Sequence, residues 1–289
     1  MVIAWCLPGG VDAFILKGET HQGPLRISSH YRDLSPGNVI AIMVESPVPS
    51  KAWAQFGDKR YHFVSRAGGR SWFTLIDLGL AISPGPHVLR VGVACPDGYE
   101  KTFSVTLTVT QRPFPVKQLT VDDRFTVLSP DVLKRVLREK KEIEAVYLAI
   151  TPSWLGEGGF DVPSRGVLRD NFGEKRLFNG EVRSRHRGVD IGSPQGTEVR
   201  ASNAGRVVLT GNFYFGGNTV IIDHGAGLFS NYCHLSAILV GKGSLVEKGA
   251  VIGLTGSTGR ATGPHLHWGF RLYNEPVDPL SVMHLPFEE

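Results

Sequence analysis

The sequence lacks the features that mark several classes of protein. Only three of its 289 residues are cysteine, an odd and sparse count that does not make a disulfide framework, although one bridge between Cys6 and Cys95 is compatible with it. No stretch reaches the roughly 18–20 apolar residues that a membrane-spanning helix needs, so we expect no transmembrane segment. The glycines follow no three-residue repeat, which excludes a collagen.

The sequence also has only a small excess of charge of one sign. The net charge is +4, and the second half (151–289) contains 13 basic and 13 acidic side chains. This balance argues against nucleic-acid binding, whereas a mildly basic protein suits an anionic polymer such as a cell wall. The first residues lack the basic and apolar regions of a signal peptide. Two alternatives stay open: an export signal was removed, or the protein remains inside the cell.

Short β-rich runs separated by glycine turns fill most of the chain. Glycine accounts for 35 residues, above the usual share of about 7%. Continuous apolar runs and runs that alternate with period two predict strands, as at 39–44, 87–93, 102–109, 206–209, 219–223, 251–254 and 266–273. The sequence therefore predicts a mainly β protein.

The length and the turn signals predict two domains. Residues 1–112 read as an immunoglobulin-like β-sandwich that serves as an accessory domain, because short strands recur there without a catalytic cluster. Residues 113–164 read as a connector that ends in a flexible glycine break at 156–159. The rest, 165–289, is a second β-rich domain.

One helix is predicted within the connector, over about 130–144. Ser129 is a suitable N-cap and Pro130 suits the first helical position. Apolar residues then recur at helical spacing and should face one domain: Val132, Leu133, Val136, Leu137 and Ile143.

Two short motifs in the second domain carry metal-binding chemistry. His265 and His267 are two residues apart in an extended segment, so their side chains share one face of a strand. His186 and Asp190 form the other motif. A catalytic zinc usually takes three protein ligands from imidazoles and carboxylates. His186, Asp190 and either His265 or His267 would supply them.

Around these motifs the second half resembles the lysostaphin-type, LytM-like zinc endopeptidases that cleave peptidoglycan. The resemblance rests on short motifs that keep their order: 171–176, 178–180, 186–190, 196–197, 217–220, 223–225, 232–235, 256–259 and 263–268. It implies a catalytic domain of antiparallel sheets that form a groove. Some relatives have a tyrosine shortly before the first zinc histidine, whereas this chain has no tyrosine in 180–185.

Carried over position by position, the resemblance implies one Zn²⁺ per chain, bound by His186, Asp190 and His267. It implies that His265 and His234 are catalytic histidines, with His265 mainly transferring a proton and His234 supporting the transition state.

Basic residues flank the first zinc histidine. We expect Arg185 and Arg187, beside Arg183, to attract the carboxylates of peptidoglycan peptides, and we place Asn218 with them as a substrate-binding residue. The predicted function is hydrolysis of peptide bonds in stem peptides or cross-bridges, in the periplasm or outside the cell.

Two alternative functions share parts of this pattern. A catalytically silent wall-binding or hydrolase-activating protein with the same fold would lack zinc ligands, whereas all five histidine and aspartate positions are intact here. A zinc peptidase that acts on proteins is the second alternative, and the same ligand pattern is compatible with it.

Overall fold

A computed structural model describes residues 3–6, 12–20, 23–48, 50–66, 70–96, 98–119, 128–178 and 181–287. Within these ranges the chain forms 24 strands and two helices, which confirms the expectation of a mainly β protein. Neither helix is long and apolar enough to cross a membrane.

Two antiparallel sheets form the first part of the chain. The larger contains β1 (Ile3–Cys6), β2 (Asp12–Thr20), β3 (Gly23–Tyr31), β4 (Val39–Glu45), β7 (Val64–Arg66) and β8 (Ser71–Asp77), in the order β1-β2-β3-β4-β8-β7. The smaller contains β5 (Lys51–Phe56), β6 (Lys59–His62), β9 (Gly85–Ala94) and β10 (Glu100–Val109), in the order β10-β9-β5-β6. Side chains of both sheets, such as Ile27, Ile42 and Val91, share one buried core, as expected of a β-sandwich.

The second cysteine of the possible disulfide is buried in this part. Cys95 is a free thiol, and its Sγ lies 3.2 Å from Ser50 Oγ. The side chain of Cys6, its possible partner, lies outside the described residues.

Three further sheets form the second part. The largest contains β12 (Val167–Arg169), β15 (Val189–Gly192), β17 (Gly205–Phe213), β18 (Gly217–Gly225), β19 (Leu228–Leu235), β21 (Leu245–Val246), β23 (Leu266–Leu272) and β24 (Glu275–Val277). Its order is β12-β15-β23-β19-β18-β17-β21, with β24 paired to β23. A small sheet contains β16 (Glu198–Arg200), β22 (Val251–Leu254) and β20 (Ala237–Ile238). Another contains β11 (Val116–Leu119), β13 (Lys175–Phe178) and β14 (Glu181–Arg185), with β11 and β13 parallel.

The two faces of the eight-stranded sheet have different roles. One face buries large apolar side chains, including Val220, Trp268 and Phe270, in the main core. On the opposite face, Asp190 and Cys233 lie directly beside His267 on the strands that flank β23. Because neighbours in register point the same way, this second face holds the candidate site.

The helix α1 (Pro130–Leu148) packs on that same face. Its N-cap is Ser129, as expected, but it runs one turn beyond the predicted end at residue 144. The predicted apolar stripe is partly wrong, because Leu133 and Leu137 are 45% and 56% exposed. The packed side chains include Ile143, Val146 and Tyr147, which meet Leu209, Phe213, Ile221 and Phe229 of the sheet. The second helix is the short α2 (Pro279–Met283).

The connector contacts both parts of the chain. Trp154 stacks on Phe287 and meets Phe73 of the sandwich edge to face. At the expected flexible break, 156–159, the Glu157 backbone N–H donates to Asn203 Oδ1 (2.7 Å), whose amide donates to the Gly158 carbonyl (3.1 Å). These bonds satisfy the backbone that the glycines would otherwise leave free. The flexibility of this segment stays a prediction. The domain limits at 112 and 164 stay predictions.

A polar network crosses the core of the second part. His224 is fully buried, with Nδ1 donating to the Ala204 carbonyl (2.7 Å) and Nε2 accepting from the Ser230 hydroxyl (2.7 Å). Burial disfavours the charged imidazole and lowers the pKa of His224 to about 4. The neutral ring is therefore part of the folded state.

This network predicts acid-dependent stability. Between about pH 6.5 and pH 4 the unfolded chain takes up a proton that folded His224 resists, so unfolding becomes easier by up to about 3 kcal/mol as the pH falls. His224→Gln removes this titration. We expect the difference in unfolding free energy between wild type and variant, from urea titrations with chelator present, to shrink across that interval. A difference that stays constant from pH 7 to pH 4 would contradict the prediction.

Candidate metal centre

Three ligand-type side chains converge where β15 and β23 pair. The Nε2 atom of His186 lies 3.1 Å from Asp190 Oδ1 and 2.9 Å from His267 Nδ1, and the last two atoms are 3.2 Å apart. Asp190 and His267 face each other across the strand pair, and His186 lies three residues before the start of β15. Within the described part of the chain these three form the one such group able to hold a metal ion.

Neighbouring groups orient each of these side chains. The Nδ1–H of His186 donates to the Asn171 carbonyl (3.0 Å), which leaves the Nε2 lone pair facing the centre. The Asn171 amide and Arg176 donate to Asp190 Oδ2 at 2.9 and 3.1 Å. Since Oδ2 is engaged, Oδ1 is the oxygen left for the centre.

The protonation states suit metal binding. Burial by itself raises the pKa of Asp190, but the adjacent imidazoles of His186 and His267 outweigh it and hold that pKa well below its usual range. Burial lowers the pKa of His267. A carboxylate and neutral imidazoles are the forms in which these residues bind metals.

The donor set and its spacing fit zinc. Two imidazole nitrogens and one carboxylate oxygen are usual ligands of a catalytic zinc. With bonds of about 2.0–2.1 Å in a tetrahedral arrangement, two ligand atoms would be roughly 3.3 Å apart. The three separations of 2.9–3.2 Å are close to that value.

Two further histidines border the centre. The ring of His234 lies 4.8 Å from that of His265 and 6.1 Å from that of His267, and His265 Nε2 is 3.8 Å from Asp190 Oδ1. Each donates its Nδ1–H to a backbone carbonyl at 2.8 Å, His234 to Thr258 and His265 to Gly263. Both rings thus keep Nε2 for other partners.

The backbone conformation of His234 is energetically unfavourable. Its φ of 65° lies in the left-handed region, which non-glycine residues adopt rarely. Burial, with the neighbouring His267 and His265 adding to it, lowers the pKa of His234 to about 3. A strained backbone and a strongly shifted histidine often mark functional sites.

A cleft of about 870 Å³ leads away from the centre between the sheet and α1. Its walls include His267, Arg185, Arg187 and, from the helix, Ile143 and Tyr147. The structure thus brings both predicted arginines of the rim beside the centre, and the Arg185 guanidinium also lies 5.4 Å from the Phe114 ring.

Asn218 is placed differently. Its side-chain amide donates to the Leu235 carbonyl (3.0 Å), and its Oδ1 accepts from the Asn212 amide (2.9 Å). These bonds connect strand ends, and its substrate-binding role stays a prediction.

Part of the segment before His186, including the side chain of one predicted arginine, lies outside the described residues. The Arg183 side chain lies outside the described residues. So do residues 179–180 and the side chains of 181–182, which cover much of the stretch where some relatives have a tyrosine.

Sequence reasoning missed several supporting residues. Asn171 stood in a recognised motif without a role, and nothing in the pattern indicated that Arg176 reaches Asp190 across 14 positions. Thr258 stood within a motif as well, yet its role is a backbone carbonyl, which no side-chain pattern reveals.

Comparisons with known proteins agree with this geometry. Residues 184–279 match the model of a family described as peptidase family M23. A crystal structure from Pseudomonas aeruginosa assigned to peptidase M23 is 32% identical, with a TM-score of 0.66 over 87% of this chain and 96% of that one.

Two curated bacterial proteins are similar over shorter stretches. The peptidoglycan DD-endopeptidase ShyA of Vibrio cholerae is 42% identical over 43% of this chain and 29% of its own length. The DD-carboxypeptidase/endopeptidase Mpg of Neisseria meningitidis is 48% identical over 34% of this chain and 22% of its own. The chain therefore spans less than a third of either relative.

The contacts of Asn171 predict a measurable loss of metal affinity. Asn171→Ala removes the amide that orients Asp190 and the oxygen that accepts from the Asp190 backbone N–H. Loss of such a supporting partner typically costs about 10–100-fold in metal affinity, which competition with a chromophoric chelator would measure. The exposed Asn212→Ala is the matched control. An Asn171→Ala affinity equal to that of the control would show that the amide does not support the centre.

Proposed function

This chain is a member of peptidase family M23, and from that premise we propose that it is a zinc-dependent endopeptidase that hydrolyses peptide bonds in peptidoglycan stem peptides or cross-bridges. Membership confirms the resemblance noted from the sequence. Peptidases of this family are zinc metalloenzymes. The names of the similar curated proteins, one a peptidoglycan DD-endopeptidase, support the choice of substrate.

One observation carries the proposal: three ligand atoms, His186 Nε2, Asp190 Oδ1 and His267 Nδ1, lie within 3.2 Å of one another beside two more histidines. Three protein ligands leave a position for water or substrate, which is typical of a catalytic zinc and not of a structural one. One zinc per chain is the expected content.

A zinc ion held there supplies Lewis acidity, which activates water and polarises a carbonyl at neutral pH. Residues of the chain transfer the protons and support the transition state. His265, whose Nδ1–H is held by Gly263, accepts a proton at Nε2 from the attacking water and returns it to the departing amine. His234, whose ring lies 4.8 Å from that of His265, supports the transition state beside the centre.

The cleft suits an anionic peptide. Arg187 lines it beside His267, and its walls combine charged groups with apolar side chains such as Phe213 and Ile221. An extended peptide could pass the centre with its carboxylates near the arginines. Such a substrate places the protein in the cell envelope, periplasmic or extracellular.

A catalytically silent wall-binding protein is the alternative. It would not need the shifted and strained His234 or two histidines with free Nε2 atoms beside an intact ligand set. Those features favour the enzyme.

Alanine variants separate the ligands from the catalytic histidines. His186→Ala, Asp190→Ala and His267→Ala each remove one of three ligands, so we expect them to lose zinc on dialysis against a mild chelator. His265→Ala and His234→Ala should keep zinc near wild-type content while turnover of a soluble cross-linked muropeptide falls by about 10²–10⁴-fold.

Zinc content and turnover should be measured on the same preparations. The exposed His62→Ala on the sandwich is the control and should match wild type in both. If His265→Ala loses the metal while His267→Ala keeps it, the two roles are reversed. If all five variants keep zinc and activity, the site lies elsewhere.

A further inference from the structure

The strand β23 extends the site beyond the metal ligands. Residues 267, 269 and 271 lie on its cleft-facing side, while their neighbours are buried in the main core. The same cleft is lined by His267 at one point and by Arg271 at another. By strand rise, the two Cα atoms are about 13 Å apart.

The position between them is glycine for a steric reason. A Cβ at Gly269 would lie 2.9 Å from both the Arg187 carbonyl oxygen and the Asn231 amide nitrogen. The glycine lets the Arg187 backbone and the Asn231 side chain, both at the cleft, close over the strand. Arg187 and Arg271 therefore border one continuous surface that begins at the metal centre.

Arg271 uses only part of its hydrogen-bonding capacity within the described part of the chain. Its Nη1 donates to the Asn274 carbonyl at 2.8 Å, and its guanidinium lies 5.3 Å from the Tyr147 ring. Among the described residues no carboxylate comes within 4.0 Å of it. A guanidinium has five N–H donors, so this one can donate two parallel hydrogen bonds to an anionic partner.

The carboxylates of the cleft wall are engaged elsewhere. Glu139 accepts from Arg135 (2.6 Å) and from the Tyr214 backbone N–H (2.8 Å). Glu144 pairs with Lys140 (3.7 Å), and Glu275 pairs with Lys59 (3.5 Å). Glu144 and Glu275 favour the charged form of Arg271 from a distance, but burial dominates and lowers its pKa.

A partly buried cation without a close anion is unfavourable by itself. Packing against Tyr147 and Asn274 holds the group in place despite this cost. An anion that enters the cleft would offset the cost, and the cleft is where the substrate would lie.

We propose that Arg271 is a specificity residue that binds a carboxylate of the substrate peptide, a few residues from the bond that is cut. This inference rests on the proposed endopeptidase function and deepens it, because it names the group that the cleft recognises. At about 3.3 Å per residue, an extended peptide covers the 13 Å from His267 in about four residues, and in fewer given the length of the arginine side chain.

The test compares two synthetic cross-linked stem-peptide dimers that differ only in whether their free carboxyl groups are acids or primary amides. Wild type should cut the acid with a kcat/KM about 10–100-fold above that of the amide, the usual effect of a charge-assisted hydrogen bond. Arg271→Gln should remove most of this preference, mainly through a higher KM for the acid, and cut the amide as wild type does.

Two variants control for a structural role. Arg271→Lys keeps the charge and should recover part of the preference. The exposed Arg200→Gln, on β16, should behave as wild type. A preference unchanged in Arg271→Gln would overturn the proposal. So would an equal loss of kcat on both dimers without recovery in Arg271→Lys.

Failure of the proposed function has a different signature. If the zinc-loaded wild type cuts neither dimer, the endopeptidase assignment is wrong, and calorimetric titration of the same uncut dimers decides on Arg271. Tighter binding of the acid that disappears in Arg271→Gln would still support the carboxylate site. Equal or no binding of the two dimers by wild type would overturn it.

Discussion

The site depends on the register of three neighbouring strands. Asp190 on β15 and Cys233 on β19 both stand opposite His267 on β23, so the metal ligands share the face that the cleft opens on. A slip of one residue in β23 would turn His267 and Arg271 into the core and expose Trp268 and Phe270. Because both aromatic side chains are fully buried, the hydrophobic core fixes the register, and the register fixes the chemistry.

Around that face, hydrogen bonds fix the orientation of the polar side chains. Asn171 holds two of the ligands through its backbone and its side chain, Arg176 holds the carboxylate, and backbone carbonyls hold the two remaining histidines. The helix α1 closes the same face farther along with Tyr147. The cleft is thus built jointly by the sheet and by the segment before it.

The sequence predicted the metal ligands more completely than it predicted the contacts that surround them. Period-two spacing placed His265 and His267 on one face, and turn residues located the strands, because both signals are local. The extra turn of α1, the anchoring of 156–159 by Asn203 and the reach of Arg176 to Asp190 depend on contacts between distant residues. Arg271 gave no signal, since an arginine in a strand is usually solvated, and only the fold shows that this one lies in the cleft.

The most direct test of the central claim is mass spectrometry of the fragments that the full-length, zinc-loaded protein releases from purified sacculi. The account predicts products with new peptide termini, each one water heavier per bond cut, with intact glycan linkages and no release after chelation. Fragments produced only by cleavage of glycan bonds, or the same peptide products with the metal removed, would contradict it.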